Sequence, residues 1–304
     1  MPIRTGGSTG FALYITRIFC VAVTSSCRGA GRLAATEQHP GAGARAQEYV
    51  AGVDALRLQP VMVQMKQMLA LAAMAASVMF LIRPLQAEVL EQTRKLGDTT
   101  VQYKTVLPNG YDAAKAYPAI LALGGGPQTM NTVDSVLNRN LRAEAEKRGY
   151  IVVAPAAPDG EPFFEEGARV FPEFLQMILA DHKIQDNKFH IAGPSNGGIA
   201  AFHVAAANPQ YFLSVTAFPG YMWEPTAAKL QAISKMCVFM YVGELDPYMW
   251  HGEMRREAEF LRSRGTLARY SVEKGQPHRL DTLAGANAGR LFDGFAETGA
   301  GCSK

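Results

Sequence analysis

Gly193-Pro194-Ser195-Asn196-Gly197-Gly198 is the stretch that decides the fold. It follows an apolar run, Phe189-His190-Ile191-Ala192, and opens onto a helix-forming one, Ile199 to Ala207. Strand, tight turn and helix in that order put a serine at the apex of a G-x-S-x-G pattern, where its hydroxyl stands open to a substrate. Glycines two positions to either side are a steric requirement, because the turn brings strand and helix backbones too close for larger side chains. An ordinary turn serine has no need of them.

A serine hydroxyl is a weak nucleophile until a base takes its proton and a third group holds that base in the right tautomer. The chain offers both downstream, each just after a strand, in the order serine, acid, histidine. The apolar run Cys237 to Val242 ends in Gly243-Glu244-Leu245-Asp246-Pro247, which places Asp246 in the loop beyond a buried strand, with Glu244 as the rival acid. Ala268 to Glu273 alternates like a strand and runs into Lys274-Gly275-Gln276-Pro277-His278. Between them, Met254, Ala258 and Leu261 stand at helical spacing within Glu253 to Arg264, and Gly265 is the stop. Among the other histidines His251, beside Trp250, is the rival base, but it precedes the last strand. His39 lies in the unusual N-terminal region, His182 on a polar stretch, and His190 and His203 read as packing residues of the strand and helix around Ser195. Ser195, Asp246 and His278 fall at three successive strand ends, which share one edge of an open parallel sheet.

Attack on a carbonyl creates an oxyanion that needs backbone donors. The amide of Asn196, immediately after the nucleophile, is one. The second belongs in the loop after an early strand, here Pro118 to Leu123 followed by Gly124-Gly125-Gly126-Pro127. Pro127 has no N–H, which leaves Gly125 or Gly126.

With these motifs the chain resembles the α/β-hydrolase superfamily, and in particular the small secreted esterases of the feruloyl esterase and polyhydroxybutyrate depolymerase type. The resemblance runs from about Tyr103 to about Phe295 and rests on the glycine-rich loop, the turn at Ser195, and the Gly-x-x-Asp and Gly-x-x-His loops. It implies an α/β fold with a mostly parallel central sheet, helices on both faces, and ester hydrolysis through a Ser-His-Asp triad. One departure is that members usually carry a histidine ahead of the oxyanion glycines, where this chain has Gly124.

The remaining pattern completes a single domain over residues 88–304. Val101 to Val106 alternates as an edge strand, Asp134 to Arg148 is a helix with Val133, Leu137 and Leu141 on one face, and Tyr150 to Pro155 is a buried strand. A helix covers about Gly167 to Asp181, and Phe212 to Phe218 is a further strand. Strands alternating with helices mean a parallel sheet covered on both sides. The short connection from Phe218 to Cys237 leaves no room for a large cap domain.

Aromatic residues cluster in the loops at the catalytic edge. Phe163, Tyr221, Trp223, Tyr248 and Trp250 read as a substrate wall suited to an aromatic or short acyl group, against the competing reading that they pack beneath the loops.

A chain of 304 residues with 48% hydrophobic and 19% charged residues buries one large core. The net charge of +3 is concentrated in the first 87 residues, which hold eight Lys or Arg against three acids. A nucleic-acid partner is therefore not expected. Met68 to Ile82 is apolar but short for a membrane span, Lys66 precedes it, and Leu85-Gln86-Ala87 ends in a small residue. This reads as a secretory signal peptide over 62–87. Residues 1–61 then read as an upstream extension from a misassigned start codon, against a disordered tail on a signal anchor or a genuine extended leader. Cys237 and Cys302 either form a disulfide or are a buried apolar residue and a loose thiol. No metal or other cofactor is implied.

The expectation is a periplasmic or secreted serine carboxylic ester hydrolase acting on a small ester. The alternatives are a serine peptidase of the prolyl-oligopeptidase-like type and a catalytically inactive binding protein on the same fold.

Overall fold

The computed structural model describes residues 88–298 and Cys302, with isolated positions 64, 67 and 68 ahead of them. The expected extension and signal peptide otherwise lie outside the described residues.

Eight strands form one sheet: β1 (Val89–Leu96), β2 (Thr99–Val106), β3 (Tyr117–Ala122), β4 (Ile151–Pro155), β5 (Ile184–Gly193), β6 (Phe212–Ala217), β7 (Cys237–Gly243) and β8 (Ala268–Glu273). Their order is β1-β2-β4-β3-β5-β6-β7-β8, antiparallel at β1/β2 and β2/β4 and parallel at every later joint. The edge is β1, not the stretch 101–106 expected there. Most of β1 is exposed or half-buried, so its polar sequence carries little of the apolar signal that marks an inner strand.

The helices are α1 (Met130–Val136), α2 (Arg142–Arg148), α3 (Phe171–Asp181), α4 (Asn196–Ala207), α5 (Ala227–Ile233), α6 (His251–Ser263) and α7 (Gly289–Glu297). The helix expected over 134–148 begins earlier and is interrupted, since Leu137–Leu141 between α1 and α2 is a π-helical turn. Gly149 ends α2 at φ 80°, the left-handed conformation that a side chain disfavours.

Alternation along the inner strands divides the core in two. Leu121, Val153, Phe189 and Ile191 face one cluster with Phe171 and Phe174 of α3, Ala201 of α4 and Met254 of α6. Ile120, Val152 and Ala192 face the other, with Val133 of α1, Leu137 of the π turn, and Phe292 and Phe295 of α7. Helices therefore cover both faces of a mostly parallel sheet, the α/β-hydrolase arrangement. Cys237, at the start of β7, is disulfide-bonded to Cys302, which resolves the alternative left open by the sequence.

Candidate active site

The turn after β5 holds Ser195 at φ 55° and ψ −126°, a conformation that costs a non-glycine residue energy and that the surroundings must enforce. They do so by close packing. A β-carbon built on Gly193 would stand 2.6 Å from the carbonyl carbon of Gly197, and one on Gly197 would run into the carbonyl oxygen of Leu123. The Ser195 amide donates to Pro219 O at 2.7 Å, fixing the turn against the end of β6.

His278 Nε2 lies 2.9 Å from Ser195 Oγ, and His278 Nδ1 lies 3.0 Å from Asp246 Oδ2. A carboxylate only accepts, so Nδ1–H donates to Asp246 and leaves Nε2 as the acceptor for the serine hydroxyl. The Asp246 side chain is fully buried, and its Oδ1 accepts the Tyr248 amide at 2.8 Å. The loop of His278 is tied down from below. Glu273, at the end of β8, is bridged by Arg290 of α7, whose guanidinium holds the carboxyl down to about 2.

The rivals are engaged elsewhere. Glu244 accepts the Gly275 amide at 2.8 Å, joining the β7 and β8 loops without reaching the imidazole. His251 Nε2 donates to Gly243 O at 2.6 Å. His182 meets the Tyr111 hydroxyl at 3.0 Å, and His190 lies buried 2.8 Å from Ser214 Oγ. His39 lies outside the described residues.

Asn196 N–H is the first amide of α4, one of the helix-start donors with no partner inside the helix. Across the turn, a β-carbon on Gly125 would be 3.5 Å from Ser195 Cβ, whereas one on Gly126 would meet nothing within 4 Å. Gly126 instead offers its carbonyl to Asn196 Nδ2 at 3.0 Å. Of the two candidate donors, Gly125 is the one beside Ser195. The missing histidine at Gly124 also has a physical reason: a β-carbon there would lie 3.0 Å from the Thr132 carbonyl carbon, so no larger side chain fits without moving α1.

The family described as "Esterase: Putative esterase" matches residues 96–286, more than half of the chain. The chain belongs to this esterase family. A curated relative, dipeptidyl-peptidase 5 of Porphyromonas gingivalis, is 32% identical over 130 residues, which cover 38% of this chain and 18% of that protein. The chain thus spans under a fifth of that relative's length. Among solved structures, a thermostable esterase superimposes with TM-score 0.55 at 16% identity, over 70% of this chain and 63% of that one. A mutant feruloyl esterase module from Clostridium thermocellum, complexed with sinapinate, superimposes with TM-score 0.54 at 16% identity, over 70% and 88%. At such identity these two likenesses show the fold alone.

In this esterase-family chain a pocket of about 220 Å³ opens beside Ser195 and His278. Its far wall is one side of α1 and the π turn, including Thr132, Ser135, Val136 and Arg139, and it is closed by Phe218, Pro219, Arg279 and Leu280. Apart from Phe218, one of the aromatic residues expected at this edge, none of these was expected as a site residue. The signal was a polar stripe, Thr132, Ser135 and Arg139, at helical spacing, which on a lone sequence looks like a solvated face.

The expected aromatic wall lies elsewhere. Phe163 is buried in the core, its ring 4.9 Å from that of Phe171, and cannot meet a substrate. Its amide donates to the buried Gln128 side chain at 2.7 Å, which anchors the loop at this point. Tyr248 and Trp250 instead pack edge-on against the His278 ring, at 4.7 and 5.0 Å between centroids. Tyr221 packs on Trp250 at 5.2 Å and Trp223 on Tyr221 at 6.3 Å. These four make a stack beside the imidazole, outside the pocket lining.

Proposed function

We propose that the protein is an exported serine carboxylic ester hydrolase that works through an acyl-enzyme on small esters. Ser195 Oγ attacks the ester carbonyl while His278 Nε2 takes its proton, and Asp246 holds the imidazole in the tautomer protonated at Nδ1, which leaves Nε2 free to accept. The amides of Asn196 and Gly125 receive the oxyanion. The carbon–oxygen bond to the alcohol breaks as His278 returns the proton to it, and a water activated by the same imidazole then releases the acid. The observation that carries this reading is the continuous hydrogen-bond chain from Ser195 Oγ through His278 to Asp246. The pocket holds about seven water-sized volumes, which favours a short acyl or single-ring group over a long chain. Export is supported by the Cys237–Cys302 disulfide, a bond that persists in oxidising compartments.

Ser195→Ala is expected to remove hydrolysis of p-nitrophenyl acetate down to a residual of about 10³-fold over water, with the fold intact. Turnover by that variant near the wild-type rate would refute the assignment.

A second reading, a peptidase, is favoured only by the partial likeness to dipeptidyl-peptidase 5. Aminoacyl amide turnover faster than ester turnover would establish it instead.

A further inference from the structure

Two arginines line the pocket beside Ser195, and they are in different states. Arg139, on the π turn, is ion-paired with Asp281, so its charge is already answered. Arg279 directly follows His278 in the chain, lines the same pocket and is exposed. Among the described residues it makes no hydrogen bond or ion pair. Around it the lining is apolar or neutral: Val136, Phe218, Pro219 and Leu280, with the hydroxyls of Thr132 and Ser135. No acidic side chain among the described residues lines the cavity.

A cation at the rim of a small cavity that holds no opposing acid attracts an anion more strongly than one on an open surface, because less water lies between the charges. A guanidinium also matches a carboxylate through paired N–H groups. A purely hydrocarbon acyl group would leave Arg279 to water and gain nothing from it.

We propose that the substrate is a short ester bearing a free carboxylate, lodged in this pocket with Arg279 as the group that selects it. The inference rests on the reading of Ser195 as nucleophile and adds the chemical class of what it attacks. The cavity limits the carboxylate-bearing half to a few carbons or one ring.

The test compares matched esters. On the acyl side these are mono-p-nitrophenyl glutarate and p-nitrophenyl valerate; on the alcohol side, 4-acetoxybenzoate and 4-acetoxybenzamide. At low salt at least one anionic ester is expected to exceed its neutral partner about fivefold in kcat/KM, chiefly through KM, and to lose that advantage as salt rises. Arg279→Lys should keep much of the ratio, Arg279→Gln should abolish it, and Arg279→Glu should invert it. The residue is exposed, so the three variants are expected to fold. No anionic preference in either pair, or a preference that survives in Arg279→Gln, overturns the inference. Because the neutral esters are measured alongside, serine-dependent turnover without anionic preference sinks this proposal alone. Turnover that survives Ser195→Ala sinks the reading beneath it.

Discussion

Above one face of the sheet, Tyr248, Trp250 and Tyr221 are packed ring against ring up to His278, whereas above the other face α1 and the π turn stand back and leave a hollow beside Ser195. Both sides border the same imidazole, yet one is filled and the other empty. Tyr248 and Trp250 belong to the loop that also supplies Asp246, so the carboxylate and these two rings hold the histidine together. The hollow side is bounded by a widened helical turn, a feature that often accompanies functional sites. Under the proposed function the contrast divides the labour: one face positions His278 as the base, and the other bounds the space from which a substrate reaches Ser195.

The largest effect should come from cutting the positioning side at its centre. Asp246→Asn is expected to lower kcat about 10⁴-fold by favouring the wrong imidazole tautomer. Glu244→Gln, which alters only a hydrogen bond to the Gly275 amide, should leave kcat within a few fold. The reverse ranking in steady-state kinetics would move the acid to Glu244.

A smaller pair of changes separates the two sides. Trp250→Ala removes a ring from the His278 edge and is expected to cost about tenfold in kcat for every ester, with little change in chain-length preference. Ser135→Phe, at an exposed position on the pocket wall, should spare acetyl esters and raise KM for longer acyl groups by about tenfold. If Trp250→Ala shifts the length preference while Ser135→Phe lowers kcat uniformly, the division of labour is reversed.

The positioning side was the legible one. A nucleophile between two glycines, and an acid and a histidine each just beyond an apolar run, announce themselves because strand ends and tight turns restrict which residues fit. The selecting side was not legible. Thr132, Ser135 and Arg139 lie on a helix whose buried face was correctly read from Val133, Leu137 and Leu141, and a polar stripe opposite a core face gives no sign that a cavity lies beyond it. The π turn left no signal either. The aromatics fell between: Tyr248 and Trp250 were picked out by type and loop position, but which rings would brace the histidine and which, like Phe163, would sink into the core depends on contacts between distant segments. Strand β1 was missed because an edge strand need bury only one side.

The two faces should also differ in how they respond to pH. Under the helical side, burial pushes His190 down from 6.5 to about 4, its ring lying 5.0 Å from that of Phe295. Under the aromatic side, burial pushes Glu257 up to about 8, with the charge of Glu253 adding to the rise and the Met222 amide opposing it. Below about pH 6.5 the unfolded chain protonates His190 while the folded one does not until about pH 4, so stability present at neutral pH falls across that window, by about 3 kcal/mol in full. Glu257 has the opposite slope. The folded chain keeps its proton up to about pH 8 while the unfolded chain has lost it near 4.5, so stability falls as pH rises between them. Urea unfolding of His190→Asn should therefore show a flatter decline between pH 6.5 and 5 than the parent, and Glu257→Gln a flatter decline between pH 6 and 8. Parallel curves for both variants and the parent would mean that neither group is desolvated as its packing indicates, and the two faces would then differ in shape alone.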